Sequence, residues 1–317
     1  MLSHTNPDGD TIGAALAWRS YLERLGHTTC CIAPNRYPYF LEWMTDIGHI
    51  GVFKEDHDGT MARFIGEADV IFCMDFNQIN RLDRVTDTVT ANTTAVRVLI
   101  DHHLHPPVDG YAVQFSDTHA CSTSYIVYQL LEALAGTDAI DQAMAESLYV
   151  GIMTDTGNFS FSSLTSDLFR AVAVLIDKGV NVPYVNSSVY NNFSEGRMRL
   201  LGYMLNDKMV TDYEFGVAYV SLTEEEMRRF DFIQGDSEGF VNYPLSIRGI
   251  RMSAMFIQTK HSIRVSLRSR GEVDVNVFAR RYFDGGGHRN AAGGKSYVPM
   301  NETLENFRKY LREYFGA

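Results

Sequence analysis

Two apolar segments that each end in an aspartate constrain the fold of this chain more than any other feature. Residues 68–75 read ADVIFCMD and residues 95–101 read AVRVLID. Apolar runs of this length are typical of strands buried on both faces of a parallel sheet. The sequence also contains a short strand pattern at 28–33 and helical patterns at 11–25, 122–135, 143–153 and 166–178. This alternation predicts an α/β fold with a parallel sheet, whose ligand-binding edge would carry Asp75 and Asp101.

The pattern changes in the last third of the chain. Strand patterns follow one another at 216–221, 251–259 and 262–268, and an edge strand with a closing amphipathic helix is predicted from residue 298 onward. We therefore predict two α/β domains joined by a linker helix. Their boundaries are predicted at residues 1–185 for the parallel-sheet domain, 186–208 for the linker helix and 209–317 for the smaller domain.

Composition excludes several classes of protein. Of the 317 residues, 45% are apolar and 12% aromatic, which is enough for a packed core and argues against a mainly disordered chain. No apolar run reaches the roughly 18 residues of a membrane helix, and no signal peptide is recognisable at the start. Four cysteines without metal-type spacing favour buried thiols in a reducing cytoplasm.

Charge is unevenly distributed along the chain. The net charge is −11, which argues against non-specific binding to long nucleic acids. Residues 1–194 carry 10 Lys and Arg against 23 Asp and Glu, whereas the remaining residues carry 18 against 16. An acidic first part suits metal ions and a mildly basic second part suits an anionic ligand, although ordinary surface variation explains the same numbers.

Four short segments concentrate Asp and His. They are His4-Thr5-Asn6-Pro7-Asp8-Gly9-Asp10, Asp75, Asp101-His102-His103, and Asp155 within Thr154-Asp155-Thr156-Gly157. Taken singly, each carboxylate has a structural explanation as a turn residue or helix cap. Two adjacent histidines after a strand-end aspartate are harder to explain by packing. Together, carboxylates and imidazoles from separate loops are the donor set for a two-metal site that hydrolyses phosphate esters, with Mn²⁺ favoured and Mg²⁺, Co²⁺ or Zn²⁺ as competitors.

A glycine-rich segment in the second part predicts an anion-binding loop. It reads Asp284-Gly285-Gly286-Gly287-His288-Arg289, and its backbone N–H groups could approach a phosphate closely at the start of a helix. Arg264, Arg268 and Arg270 lie upstream on a predicted strand, where residues two apart share a face. We expect one of them to reach the same anion. The alternatives are a simple turn and solvated arginines on an edge strand.

These motifs, in this order, resemble those of the DHH–DHHA1 phosphoesterases over essentially the whole chain. Within that superfamily the sequence is most similar to the nanoRNase/pAp-phosphatase branch. The resemblance implies an N-terminal DHH domain that binds metal and a C-terminal DHHA1 domain that binds substrate. It also implies a cytoplasmic Mn²⁺-dependent hydrolase of short oligoribonucleotides, of linear dinucleotides such as pApA, and of pAp.

The resemblance further implies a role for each matching residue. His4, Asp8 and Asp75 would bind one Mn²⁺, and Asp10, Asp75, His102 and Asp155 the other, with a metal-bridging hydroxide as nucleophile. Asp101 would orient a ligating imidazole, and His103 would face the scissile phosphate. The residues implied to grip a substrate phosphate are Gly286, Gly287, His288 and Arg268.

Other activities of the superfamily remain as alternatives. A pyrophosphatase or exopolyphosphatase would use the same metals, but such pyrophosphatases carry a Ser-Arg-Lys-Lys-Gln segment where this chain has Gly-Gly-Gly-His. A cyclic-di-AMP phosphodiesterase and a catalytically idle nucleotide-binding protein are further alternatives. Neither long nucleic acid nor a membrane is an expected partner, and a homodimer is left open.

The sequence departs from the family pattern at its start. Family members usually carry a helix and a full strand before the His-x-x-x-Asp-x-Asp loop, whereas here only Met1, Leu2 and Ser3 precede His4. A three-residue strand is a poor central strand. We therefore expect that the sequence begins late, and that His4 and Asp8 are held less firmly than in the family.

Overall fold

The protein consists of two compact units, each with its own hydrophobic core. The computed structural model describes residues 1–160 and 163–316, and the units are Met1–Asn192 and Phe193–Ala317. The segment predicted as a linker helix, 186–208, contains the end of one helix and the whole of the next, interrupted at residues 191–194. The boundary between the units lies within this interruption.

The first unit alternates strands and helices in the predicted manner. Its strands are β1 (Cys31–Ala33), β2 (Ile50–Val52), β3 (Val70–Met74), β4 (Val96–Asp101) and β5 (Val113–Ser116). Its α-helices are α1 (Gly9–Arg24), α2 (Thr60–Glu67), α3 (Val85–Ala91), α4 (Thr123–Ala135), α5 (Gln142–Asp155), α6 (Ser166–Asp177) and α7 (Val182–Tyr190). The α/β prediction is therefore confirmed for this unit, although the sequence analysis missed β2 and β5.

The strands of the first unit are parallel throughout. β1 pairs with β2, and β3, β4 and β5 pair in that order. Leu2 forms parallel bridges to Ile32 on one side and to Cys73 on the other. The start of the chain thus connects the two groups of strands, and all carboxyl ends lie at the same edge.

Backbone hydrogen bonds fix the three residues before His4. Leu2 N–H donates to the Phe72 carbonyl at 2.8 Å, and Met74 N–H donates to the Leu2 carbonyl at 3.0 Å. On the other side, Ser3 N–H donates to the Ile32 carbonyl at 3.0 Å. Leu2 is buried among apolar side chains. This three-residue segment therefore occupies the position of a central strand, in contrast to the loosely held segment expected from the sequence.

Helices α1 and α5 pack closely because glycines lie between them. A Cβ on Gly13 of α1 would meet the backbone oxygen of Ser147 on α5 at 2.2 Å. A Cβ on Gly151 of α5 would meet the Ser124 hydroxyl of α4 at 1.9 Å. The absence of side chains at these two positions allows the three helices to bring their polar ends together.

The second unit is a six-stranded mixed sheet with helices. Its strands are β6 (Val210–Asp212), β7 (Val217–Leu222), β8 (Met252–Gln258), β9 (Ile263–Ser269), β10 (Gly286–His288) and β11 (Ala291–Ser296). Its α-helices are α8 (Glu195–Tyr203), α9 (Glu224–Arg228), α10 (Val275–Tyr282) and α11 (Met300–Phe315). The strand order is β10-β11-β9-β8-β7-β6, antiparallel except for β7 and β8.

Two local predictions for this unit are wrong. The glycine-rich segment does not open a helix, because Gly286–His288 pairs with β11 as a hairpin. The edge strand predicted from residue 298 is replaced by β11, which lies inside the sheet and ends at Ser296. The alternative of arginines on an edge strand does not hold, because β9 lies inside the sheet. Glycine has a low β-propensity, so the glycine-rich sequence provided no indication of the β10–β11 hairpin.

The four cysteines are all free thiols, and Cys31, Cys73 and Cys121 are buried. Within residues 1–160 and 163–316, none of the helices combines the length and the apolar character that crossing a bilayer requires.

Candidate metal centre

The predicted metal-binding residues of the first unit come from one edge of its sheet and from two helix ends. His4 follows the short strand at Leu2, Asp75 follows β3, and His102 follows β4, whose last residue is Asp101. Asp8 is the N-cap residue of α1, Asp10 lies in its first turn, and Asp155 is the last residue of α5. The parallel sheet thus gathers residues that are up to 151 positions apart in sequence.

Asp75 lies at the centre of this cluster and is 2% exposed. Its Oδ2 is 3.3 Å from His4 Nε2, and its Oδ1 is 3.4 Å from His102 Nε2. Thr123 donates its hydroxyl to the same Oδ1 at 2.9 Å. One carboxylate therefore faces a histidine with each of its oxygens, which is the arrangement expected of a group that bridges two ions.

The first donor group consists of His4, Asp8 and Asp75. Asp8 Oδ1 caps α1 by accepting from the N–H groups of Asp10 and Thr11 at 3.1 and 3.2 Å. Its other oxygen lies 3.9 Å from His4 Nε2. The helix cap that the sequence analysis considered for Asp10 is thus formed by Asp8, which keeps one oxygen for the cluster.

The second donor group consists of Asp10, His102 and Asp155. His102 Nε2 lies 3.9 Å from Asp10 Oδ2 and 3.5 Å from Asp155 Oδ2. Its other ring nitrogen lies 3.2 Å from the Ala120 carbonyl, which fixes the ring. Asp155 ends its helix, where a carboxylate interacts unfavourably with the helix dipole, so capping does not explain its position.

Burial and mutual repulsion perturb the carboxylates. Burial raises the pKa of Asp10 well above its usual value, and the charges of Asp75 and Asp155 add to the rise. Burial likewise raises the pKa of Asp155 to about 6, although His102 opposes it. Burial alone would raise the pKa of Asp75 too, but hydrogen bonds from His102 and His4 hold it well below its usual range. Positive charge therefore stabilises this cluster.

The donor atoms of the two groups fit divalent ions. Imidazole nitrogens and carboxylate oxygens in this cluster are separated by 3.3–3.9 Å, so the hydrogen bonds among them are long. Two ligands that each lie about 2.1 Å from one ion are separated by about 3.0–3.4 Å at octahedral or tetrahedral angles. Carboxylate and imidazole donors suit Mn²⁺ and its neighbours among the divalent metals.

Asp101 contacts the remaining histidine. His103 Nδ1 lies 2.7 Å from Asp101 Oδ1 and 3.7 Å from Asp75 Oδ1. Asp101 is fully buried, whereas the His103 side chain is 16% exposed. An ionised carboxylate only accepts hydrogen bonds, so this contact keeps the proton on Nδ1 and directs Nε2 away from Asp101.

Sequence reasoning missed two groups that support the ligands. The N–H groups of Thr123 and Ser124 donate to the two oxygens of Asp10 at 2.6 and 2.8 Å, so the N-terminus of α4 holds this carboxylate. Nearly every residue type can donate through its backbone N–H, so residue identity does not reveal such donors. The run Ser122-Thr123-Ser124, which is typical of a helix start, is the sequence signal that could have indicated them. Arg81 was also missed; its carbonyl accepts from Thr5 N–H at 2.8 Å, beside His4.

The predicted anion-binding residues lie together in the second unit. Arg268 on β9 is opposite Ala291, which is itself opposite His288 on β10. Gly287 has φ 146°, and a Cβ there would meet the Ala291 oxygen at 2.5 Å, so only glycine fits. Its N–H donates to Asn276 Oδ1 at 3.0 Å. The hairpin thus places Gly286, Gly287 and His288 one strand away from Arg268, with β11 between them.

Comparison with known proteins identifies the family. The model of the DHH family, N-terminal domain, matches residues 1–152, and that of the DHHA1 domain matches residues 213–317. A crystal structure of an exopolyphosphatase-related protein from Bacteroides fragilis is 38% identical with a TM-score of 0.91. The match covers 99% of this chain and 91% of that one. The chain belongs to the DHH family.

Two curated relatives of this DHH-family chain are named bifunctional oligoribonuclease and PAP phosphatase NrnA. The protein of Bacillus subtilis is 27% identical over 93% of this chain and 88% of its own length. The protein of Thermus thermophilus is 27% identical over 99% of this chain and 89% of its own length. The expected resemblance and the two-domain α/β fold are confirmed, and the chain is a DHH-family phosphoesterase.

Proposed function

We propose that this DHH-family protein is a Mn²⁺-dependent hydrolase of short oligoribonucleotides and of linear dinucleotides such as pApA, and that it removes the 3′-phosphate of pAp. The observation that carries the proposal is the position of Asp75, whose two oxygens face the histidines of two separate donor groups. The names of the NrnA relatives support the choice of substrate.

We assign the ligands of the two ions accordingly. His4, Asp8 and Asp75 bind the first ion, and Asp75, Asp10, His102 and Asp155 bind the second. Bound divalent ions supply Lewis acidity toward the phosphate and lower the pKa of a water, with Mg²⁺ or Co²⁺ as substitutes for Mn²⁺. The amides of α4 and the Thr123 hydroxyl keep two of these carboxylates in place.

His103 and Asp101 act on the phosphate and not on the ions. The Asp101 carboxylate holds the Nδ1 proton of His103, so Nε2 is directed away from Asp101, and we assign Nε2 to a substrate phosphate. A protonated imidazole there donates a hydrogen bond to a phosphate oxygen and offsets the charge that develops during displacement. Asp101 is thus a positioning residue for His103.

We assign the binding of a substrate phosphate to the second unit. We assign Arg268, Gly286, Gly287 and His288 to a phosphate of the nucleotide, because a guanidinium recognises phosphate and glycines without side chains let a phosphate approach the backbone closely. A substrate of a few nucleotides needs only such a local contact, whereas the net charge of −11 repels a long polyanion. The free thiols suit a reducing cytoplasm, in which we place the protein.

A substrate panel tests the proposal. Purified protein with Mn²⁺ is offered pApA, a 5-mer RNA, a 24-mer RNA, pAp, cyclic-di-AMP and pyrophosphate, and products are resolved by chromatography. We expect turnover of pApA, the 5-mer and pAp to exceed that of the 24-mer. Asp75→Asn should abolish turnover without unfolding the protein, while the exposed Asp177→Asn, which is outside the cluster, should match the wild type.

One observation favours a second candidate. The Bacteroides fragilis relative is described as exopolyphosphatase-related and is 38% identical. An exopolyphosphatase or pyrophosphatase would use the same ions, and faster hydrolysis of pyrophosphate or polyphosphate than of any nucleotide would replace our assignment. Preference for cyclic-di-AMP, or nucleotide binding without turnover across several metals, would equally contradict it.

A further inference from the structure

In the part of the second unit's sheet formed by β9 and β11, one face packs against α10 and α11 and the opposite face carries cations. Along β9, the side chains of Ile263, Val265 and Leu267 are buried in the core that includes α10 and α11. The alternate residues Arg264, Ser266 and Arg268 are partly exposed. Because successive side chains of a strand point to opposite faces, these three share the face away from that core.

β11 adds a second row of residues to the same face. Directly opposite residues of antiparallel strands project to one side. The three cross-strand pairs on this face are Arg264–Lys295, Ser266–Gly293 and Arg268–Ala291. The middle pair has one small side chain and a glycine, so the floor between the cations is low. This face is therefore a shallow trough with a cationic site at each end.

Arg264 and Lys295 place two positive charges opposite each other at one end of the trough. Like charges directly opposite one another destabilise a sheet. Among the residues that the structure describes, no carboxylate lies within ion-pair distance of Arg264 or Lys295. Arg264 Nε is buried without a hydrogen-bond partner there. An anion bound between the two side chains would remove the repulsion.

Arg264 is held in place for such a contact. Its guanidinium donates to the hydroxyl of Ser237 at 2.8 Å, and Ser237 is 3% exposed. The loop around Ser237 is fixed by buried Arg197, which donates to the carbonyls of Gly235 and Glu238 at 3.2 and 2.8 Å. A preorganised guanidinium loses little freedom when it binds an anion.

The spacing of the two cationic ends suits an oligonucleotide. Arg268 is four positions beyond Arg264 along β9, which corresponds to about 13 Å. That distance exceeds the reach of one phosphate group and requires a ligand with at least two separated anions. Phosphodiester groups repeated along a single strand provide them, and the low floor leaves room for the sugar between.

We propose that Arg264 and Lys295 form a second phosphate site. It binds a different phosphodiester group of the substrate from the one bound at Arg268 and His288. The inference rests on the proposed function and deepens it. A substrate of three to five nucleotides gains this contact, whereas a dinucleotide is too short to occupy both ends. The second site thus favours short oligonucleotides over dinucleotides.

Charge-removal variants test the second site. The quantity measured is the ratio of kcat/KM for a 5-mer RNA to kcat/KM for pApA. We expect Arg264→Gln and Lys295→Gln each to lower this ratio about tenfold, as the loss of one charged phosphate contact would. The slope of log kcat/KM for the 5-mer against log salt should fall by about 0.7. Lys309→Gln, an exposed charge on α11, is the matched control and should change neither.

The outcomes separate the two proposals. If the wild type cleaves both substrates but both variants keep its ratio and salt slope, the second site is refuted and the proposed function stands. If the wild type cleaves neither substrate, both proposals fail. Thermal unfolding identifies a misfolded variant. If Arg264→Gln does not fold, the result for Lys295→Gln, at an exposed position, decides the test.

Discussion

Asp75 lies in the left-handed region of backbone space, at φ 64°, directly after the last residue of β3. Residues with a Cβ rarely adopt this conformation, and strain of about 1–3 kcal/mol is common where a functional site requires it. Asparagine and aspartate tolerate it best. An aspartate here tolerates the backbone conformation and also turns a carboxylate toward both donor groups.

The types of residue in the site could be predicted from sequence, but their distances could not. Asp75, Asp101 and His102 follow apolar strands, and strand ends of a parallel sheet meet at one edge. The contacts of Thr123 and Ser124 with Asp10 escape this reasoning because backbone donors are the same for every residue type. The sequence pattern does not show that Asp8 caps α1 and that Asp10, two residues later, does not, because this depends on the backbone geometry.

The role of Asp101 can be separated from ion binding. Asp101→Asn removes the charge that holds the Nδ1 proton of His103 but leaves the other donors unchanged. We expect kcat to fall about 100-fold, which is typical for a misplaced proton donor, while two Mn²⁺ ions per chain remain bound. Steady-state kinetics and metal analysis by mass spectrometry check this. Loss of an ion from this variant would assign Asp101 to the metal centre instead.

At the scale of elements, the packing of α1 on α5 positions Asp10 and Asp155. Apolar periodicity predicted both helices, because that signal is strong over more than three turns. It missed β2, β5 and β10, which are only three or four residues long, and β10 consists mainly of glycine. Short strands gain their stability from neighbours in the sheet, so their own sequences carry little of the signal.

Two helical glycines give a matched test of this packing. Gly13→Ala would place a methyl group 2.2 Å from a backbone oxygen of α5, so we expect a loss of about 2–4 kcal/mol in the free energy of unfolding. Gly66→Ala on α2 meets nothing within 4 Å and should stabilise by about 0.5–1 kcal/mol. Chemical denaturation measures both, and equal effects would contradict the close approach of the helices.

The start of α9 predicts a pH dependence in the second unit. Burial would raise the pKa of Glu226, but hydrogen bonds from Lys208, Thr223 and Tyr203 outweigh it and lower this pKa to about 2. The carboxylate therefore stabilises the folded state above its unfolded pKa of about 4.5, and this contribution is lost as the pH falls toward 2.

The matched variants for this prediction are Glu226→Gln and Glu225→Gln, the latter at an exposed position of the same helix. The free energy of unfolding of Glu226→Gln should be below that of the wild type at pH 7, and the difference should shrink between pH 4.5 and pH 3. Glu225→Gln should follow the wild type throughout. A difference for Glu226→Gln that does not change with pH would show that its charge is not involved.

At the scale of the whole molecule, two units with separate cores carry different chemistry. The first part, which carries the excess of Asp and Glu, contains the carboxylate cluster, and the second, mildly basic part contains the proposed cationic trough. The α/β class and the division into two domains followed from strand and helix patterns. The trough did not, because it depends on the register of β9 against β11, which the sequence does not specify on its own.

Divalent ions should stabilise the protein, since they bind a cluster that forms only in the folded first unit. At a Mn²⁺ concentration 100-fold above the dissociation constant, the expected gain is about 2.7 kcal/mol for one site. Differential scanning calorimetry with and without a chelator measures it. Asp177→Asn should show the full gain and Asp75→Asn little or none; an equal gain in both would place the ions elsewhere.

The most direct test of the central claim is the position of the ions in crystals grown with Mn²⁺. Anomalous difference maps at the manganese edge should show two peaks, each about 2.2 Å from one oxygen of Asp75. One peak should contact His4 and Asp8, and the other Asp10, His102 and Asp155. A single peak that does not contact Asp75, or none in a preparation that hydrolyses pApA, would contradict the two-ion centre.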